Sequence, residues 1–495
     1  MKSSPALLLL VLLISAVAAI AWLRQKQVLE PGKTEGLTAS AAVNSQVASL
    51  QKQIELLQGQ IEYLQGQVDV LQEENAALIQ KLGSIGMKPG SGSPPAAADS
   101  GVAPDFVGMG VDMMRFRKLQ ALPLVTSPVS EAEVEKAVLA WLRRTQPGDH
   151  ARRFARTLAT LGWIPEEVDP LPLQARLLTR QLGGWYDTET DTMLTVDEKS
   201  EPPPSMRPDE PLAIAYGQLL REYGPVLFQP QHGALSTDKR LARESLLAGD
   251  AGLTRFLYSL QEPKASPKDQ IPAEDPDHPL NQVGAPMLLR EMVMFPFTRG
   301  FEFAQTLHSA DGFPQLNAAY SRPPANTAEV IDPEAYLAVK ELDTTPRFAD
   351  SGLQLAGAAP FFTDQLGRFL CVSVLRTHNE DENAALAASG LLADRVLAWD
   401  AGAGAKRHHA AWQTVFRDAD GATAFLMAMG NVLNERNGRP TTPEPAERLE
   451  FEAQGRFILL RRDRSGEAVL LLDTASAAAR AALEKSLLSG PQATR

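Results

Sequence analysis

Seven histidines and a single cysteine are the side chains of this chain best suited to binding a metal or attacking a carbonyl. Two histidines hold one ion when they stand a helical turn apart with both rings on one side. None of His150, His232, His278, His308, His378, His408 and His409 has a partner at that spacing. His408 and His409 are adjacent, so on a strand they point to opposite faces and share no metal; both read as solvated residues of a hairpin. Cys371 lies in the apolar run "RFLCVSVL" and reads as a small buried hydrophobe rather than a nucleophile. The acidic stretch "AEDPDHP" lacks the spaced ligands and glycine of a calcium loop. "GMGVDM", Gly108 to Met113, lacks the preceding strand and third glycine of a dinucleotide loop, and no G-x-S-x-G elbow occurs. Local motifs therefore predict no cofactor, no metal and no activated nucleophile.

The elements that would position a site carry more information. With 495 residues the chain exceeds a single core, and 44% apolar against 22% charged residues is globular composition. Its 48 basic and 60 acidic side chains give a net charge of −12, a field that repels phosphate backbones and excludes nucleic acid as an expected partner. At the N-terminus, Lys2 precedes an uncharged run from Pro5 to Leu23, followed by Arg24 and Lys26. The run approaches the about 20 residues that span a bilayer, so a single-pass membrane anchor is expected through residues 5–23. The small residues of "SAVAA", Ser15 to Ala19, keep a cleaved signal peptide open, which would make the chain secreted or periplasmic.

From Val47 the apolar positions alternate in steps of three and four. Val47, Ile54, Ile61, Val68, Asn75 and Leu82 fall on one seam position, and Leu50, Leu57, Leu64, Leu71 and Leu78 on the other. β-Branched residues at the first and leucine at the second predict a parallel two-stranded coiled coil, with Asn75 setting register. The flanking positions are mostly glutamine, as at Gln51, Gln58, Gln60 and Gln67, so self-association is the simplest partner choice; a helix folded back on its own domain is the alternative. The expected organisation is a signal anchor or signal peptide over 1–26, a coiled coil over 43–85, a flexible linker over 86–125, a mixed α+β domain over 126–440 and a small α/β extension over 441–495. Within the domain, Ser130 to Glu133 forms a capping box before a helix, "HARRFARTLATLG" reads as another helix, and helices dominate from Pro211 to Leu260. "GGWYDTETDTMLTVD", "RVLAWDAGAGAKRHHAAWQTVF" and "GRFILLRRDRSGEAVLLLD" read as hairpins, the last two turning at Gly402 to Gly404 and Asp463 to Gly466.

From about Thr157 to Met429 the order of segments resembles a family of exported bacterial zincin-like metallopeptidases. The resemblance is carried by "GGWYDTETDTMLTVD", "AYGQLLREYG", "ARESLLAGDAGLTRFLY", "FPFTRGFEF", "RPPANTAEVIDPEAY", "AASGLLADRVLAW" and "FRDADGATAFLMAM". It implies a zincin-like fold, a mainly helical core with short hairpins. It also implies a zinc held by two histidines one turn apart and a glutamate on the next helix, with a further glutamate as base. Carried over residue by residue, the first histidine falls on Tyr216, the base on Gly217, the second histidine on Leu220 and the glutamate ligand on Ala248. Gly249, Asp250, Ala251, Pro323, Pro324, Pro333 and Tyr336 keep the family's pattern. The serine and glutamine positions around Asn326 to Glu329 are changed, and the histidine before Pro333 has become Asp332. Asp250 is expected in a helix N-terminal or packing role.

The expectation is a catalytically inactive zincin-like pseudopeptidase without cofactor. It would be anchored, dimerised by its coiled coil, and held outside the cytoplasm as a binding or scaffolding protein, with a peptide or protein in the former cleft as ligand class. Two alternatives stay open: an active metallopeptidase with non-standard ligands, and a structural envelope spacer.

Overall fold

A computed structural model describes residues 106–120, 123–146, 148–197, 210–228, 235–261, 280–338, 353–402, 405, 407–441 and 447–489. The apolar run 5–23, the coiled-coil seam, His232 and "AEDPDHP" with His278 lie outside them. Among the described residues no helix is long and apolar enough to cross a membrane.

The described part opens with α1 (Phe106–Phe116), inside the stretch expected as linker. From residue 106 that expectation fails, because "MGVDMMRF" is amphipathic and sends Met113 and Met114 into the core. A small sheet follows. β1 (Val125–Val129) pairs in parallel with β3 (Thr192–Val196), and β2 (Gly184–Asp187) pairs antiparallel with the other edge of β3. The β2–β3 turn is held by Asp187, whose carboxylate accepts from Glu189 N–H at 3.0 Å, and by Asp191 at φ 54°. Between β1 and β2 run α2 (Glu131–Thr145), α3 (His150–Thr160) and α4 (Pro170–Leu182). The capping box that starts α2 is present, with Ser130 and Glu133 exchanging side-chain and backbone bonds.

The helical centre is built from α5 (Glu210–Phe228), α6 (Thr237–Gln261) and α7 (Met287–Ser321). α6 and α7 cross at backbone contact: a Cβ on Gly249 would fall 1.9 Å from the Gly300 carbonyl oxygen, and one on Gly300 would fall 2.4 Å from that of Ser245. Only glycine allows such an approach. α7 breaks at Asp311 and Gly312, where φ/ψ leave the helical region, so the chain turns and sends Phe313 and Tyr320 back toward α1 and α6. The short helices α8 (Thr327–Ile331) and α9 (Pro333–Leu337) follow, each capped by its own preceding side chain, Asn326 and Asp332.

The remainder is a six-stranded antiparallel sheet. It contains β4 (Phe362–Asp364), β5 (Leu391–Trp399), β6 (His409–Phe416), β7 (Arg448–Ala453), β8 (Arg456–Arg462) and β9 (Ala468–Thr474), in the order β4-β5-β6-β9-β8-β7. Alternation decides what each face meets. Val396, Trp412, Val469 and Leu471 join the main core with Phe425 of α12 (Ala419–Asn437). Leu397, Trp399, Leu470 and Leu472 pack with Leu483 of α13 (Ala477–Ser489). The expected extension over 441–495 thus completes the same sheet. Between β4 and β5 lie α10 (Gly367–Leu375), which buries Cys371, and α11 (Asp381–Ser389). With helices and strands largely in separate blocks, the architecture is α+β.

Candidate functional site

α5 and α6 carry the four positions at which the resemblance would place zinc chemistry. Tyr216 and Leu220 stand one turn apart on α5, and all of Tyr216, Leu220 and Ala248 are buried in the main core. Tyr216 packs against Trp185 of β2 at 5.7 Å and Phe297 of α7 at 6.1 Å. Burial, with a smaller contribution from the Glu244 carboxylate, holds its phenol far above the ordinary value, so the group is protonated at neutral pH. Tyr216 and Ala248 line a cavity of about 30 Å³ together with Gln174, Arg240, Glu244 and Met292. Arg240 and Glu244 pair across one turn of α6 at 2.7 Å. Leu220 and Ala248 have no donor atom, and among the described residues no three histidine, cysteine, aspartate or glutamate side chains come together as a metal-binding group.

Gly217 points elsewhere, toward the small sheet. A Cβ there would meet Met193 Sδ and Tyr186 Cβ, each at 3.0 Å. A glutamate side chain starting there would be crowded against β2 and β3.

The retained pattern residues have structural partners. Asp250 sits in the middle of α6 rather than at a helix N-terminus and is wholly buried. It accepts from Arg117 Nε at 2.9 Å and Nη2 at 2.8 Å, from the Tyr320 hydroxyl at 3.0 Å and from Thr254 at 3.1 Å. Arg117, just past α1, is equally buried and lies 4.4 Å over the Phe313 ring. Gly249 serves the helix crossing, and Ala251 is buried beside it. Pro333 starts α9, while the Tyr336 hydroxyl donates to the Arg322 carbonyl at 2.7 Å and its ring packs on Phe303. Pro323 and Pro324 lie in the bend between α7 and α8. Of the residues that keep the pattern, Gly249, Asp250 and Tyr336 contact neighbouring elements of the fold.

A second polar centre joins the two halves of the fold. Asp238 on α6 accepts from Thr327 N–H at 2.8 Å and its hydroxyl at 2.6 Å. Asp394 on β5 accepts from Leu366 N–H, Gly367 N–H and Trp412 Nε1 at 2.8–3.0 Å. Asp364 on β4 accepts from Thr237 and lies 3.3 Å from His150 Nε2. Burial, only partly offset by these bonds, pushes Asp238 up to about 7 and Asp394 up to about 6.

His408 and His409 correct the expectation of solvated hairpin residues, for both are buried. Arg156 of α3 donates to His408 Nε2 at 3.2 Å, and Arg456 of β8 donates to the His408 carbonyl at 2.6 Å. His409 Nδ1 accepts from Ala475 N–H at 3.2 Å. Burial first, then the neighbouring arginines, depress both imidazoles, which stay neutral and structural. His308 packs on Phe313 at 4.8 Å.

No protein-family model, curated protein or solved structure matches this chain. Arg117, Tyr320, Asp238, Asp394 and Glu244 were not singled out by sequence reasoning. Asp394 lies in "AASGLLADRVLAW" and Glu244 in "ARESLLAGDAGLTRFLY", where the segments themselves were the available signal. Arg117 stands among charged residues in "MRFRKLQ" and carries no such mark.

Proposed function

We propose that this chain is a catalytically inactive zincin-like pseudopeptidase. Its N-terminal segment anchors it, its coiled coil dimerises it, and its α+β domain serves as a binding or scaffolding module outside the cytoplasm. What carries the reading is the packing at Gly217: a Cβ at the base position of the resembling family would lie 3.0 Å from Met193 Sδ and from Tyr186 Cβ, so a side chain there is crowded against the small sheet. Tyr216, Leu220 and Ala248 add an unionised phenol and two alkyl groups where three metal donors would be needed. The neighbourhood of α5, α6 and a small sheet against α5 is the arrangement that such a peptidase would keep after losing its chemistry.

The ligand of such a module is a peptide or protein, and the β1 edge of the small sheet limits how it docks there. Val129 C=O bonds toward β3, so in a parallel pair Thr126 and Pro128 face the open edge. Proline has no N–H, which leaves a single donor for an added strand. At the β1 edge, recognition by side chains is favoured over strand addition.

The full chain, purified in detergent and dialysed against chelator, is expected to retain no stoichiometric zinc and to leave an unfolded protein substrate intact. Stoichiometric zinc together with hydrolysis would overturn the proposal.

A further inference from the structure

We propose that the cavity beside Tyr216 is a hydration site, in which one or two ordered water molecules bridge the Tyr216 hydroxyl to the Glu244–Arg240 pair. The inference stands on the cavity and its walls, whatever the fate of the pseudopeptidase reading. Tyr216 is buried, its ring fixed between Trp185 and Phe297. Among the described residues its hydroxyl has no hydrogen-bond partner, whereas the comparably buried Tyr320 donates to Asp250 at 3.0 Å. Buried hydroxyls are as a rule satisfied by protein or by water. Tyr216 lines a cavity of about 30 Å³. A water needs on the order of 10–15 Å³ and two to four polar partners. The polar residues lining this cavity, Tyr216, Glu244, Arg240 and Gln174, can supply them. An alkyl-lined void of this size stays dry, whereas one whose largely apolar lining also includes an ion pair offers water the polar partners it needs. Ordinary ligand pockets are about tenfold larger, so water is the occupant that fits.

Radiolytic footprinting of the full chain in ¹⁸O-labelled water tests this, because hydroxyl radicals formed from a bound water oxidise the side chain that holds it. Tyr216 is expected to be labelled at least tenfold faster than Tyr320, which is equally shielded from bulk solvent. Equal protection of the two tyrosines would overturn the proposal. Ala248→Val places two methyl groups in the cavity and is expected to bring Tyr216 labelling down to the level of Tyr320, with the circular dichroism spectrum retained. Undiminished labelling in that folded variant would also overturn it. Should the variant fail to fold, the comparison of the two tyrosines in the native chain decides alone.

Discussion

Removing the Asp250 carboxylate is the sharpest probe of how this domain is held together. In Asp250→Ala four donors lose their acceptor at once: Arg117 Nε and Nη2, the Tyr320 hydroxyl and Thr254 Oγ1. The guanidinium left behind is wholly buried, with the Phe313 ring at 4.4 Å as its remaining electrostatic support. A cation over an aromatic face gains about 0.5–2 kcal/mol, too little to offset the desolvation of a lone charge. Breaking a buried pair from one side costs about 3–5 kcal/mol, and we expect a loss near 4 kcal/mol, a large share of the about 5–15 kcal/mol by which domains are stable. Urea unfolding followed by tryptophan fluorescence would read this as a lowered midpoint with an unchanged slope. Arg117→Met/Asp250→Leu removes both charges and keeps apolar volume, so it should recover most of the loss. If Asp250→Ala costs less than about 1 kcal/mol, or the double variant is no better than the single one, a desolvated pair is not what clamps α1 to α6.

The same clamp predicts that a chain beginning at residue 123, without α1, is markedly less stable to urea than one beginning at 103, because Asp250 loses Arg117; equal midpoints would contradict it. At the α6–α7 crossing, Gly249→Ala drives a methyl onto the Gly300 carbonyl and should abolish folding, read as loss of soluble protein. Gly252→Ala meets only the Phe301 ring at 3.2 Å and should be neutral or stabilising by up to about 1 kcal/mol from helix propensity. For pH, Asp238 and Asp394 have folded values of about 7 and about 6, above the ordinary carboxylate value near 3.9 in the unfolded chain. The folded state binds more protons, so their contribution is complete below about pH 4 and is lost as pH rises through 6 to 7. Asp238→Asn should therefore flatten the fall in urea midpoint between pH 5 and 8; parallel profiles for variant and parent would refute this. Residues 43–85 as a peptide should sediment as a dimer, and a monomer would count against the coiled coil.

Much of the fold could be read locally, because hairpins and capped helices are decided by neighbours in sequence. The Ser130–Glu133 box, the β2–β3 and β8–β9 hairpins and the turn at Asp463–Gly466 all depend on residues a few positions apart. The misreadings have long-range causes. His408 is buried because Arg156, 252 positions away, closes over it, and no alternation pattern shows that. α1 looked like linker because its docking depends on Asp250, 133 positions beyond Arg117. At the candidate site the lack of donor atoms at Leu220 and Ala248 was plain from residue type, but the crowding at Gly217 depends on a sheet whose packing against α5 only the folded chain reveals. Asn326 and Asp332, read as losses from a motif, turn out to cap α8 and α9.

The order β4-β5-β6-β9-β8-β7 has a consequence for how the polypeptide is made. β6 pairs on one side with β5, already synthesised, but its other side waits for β9, some fifty residues downstream. Until then, Ala410–Val415 presents open backbone groups along the uncharged strand "AAWQTV", the kind of edge that recruits foreign strands. A nascent chain stalled before Ala468, or a truncation in the loop after α12, would display that edge permanently. The last three strands thus act as a seal, and intermolecular aggregation, rather than a local loss of structure, is the expected outcome of losing them.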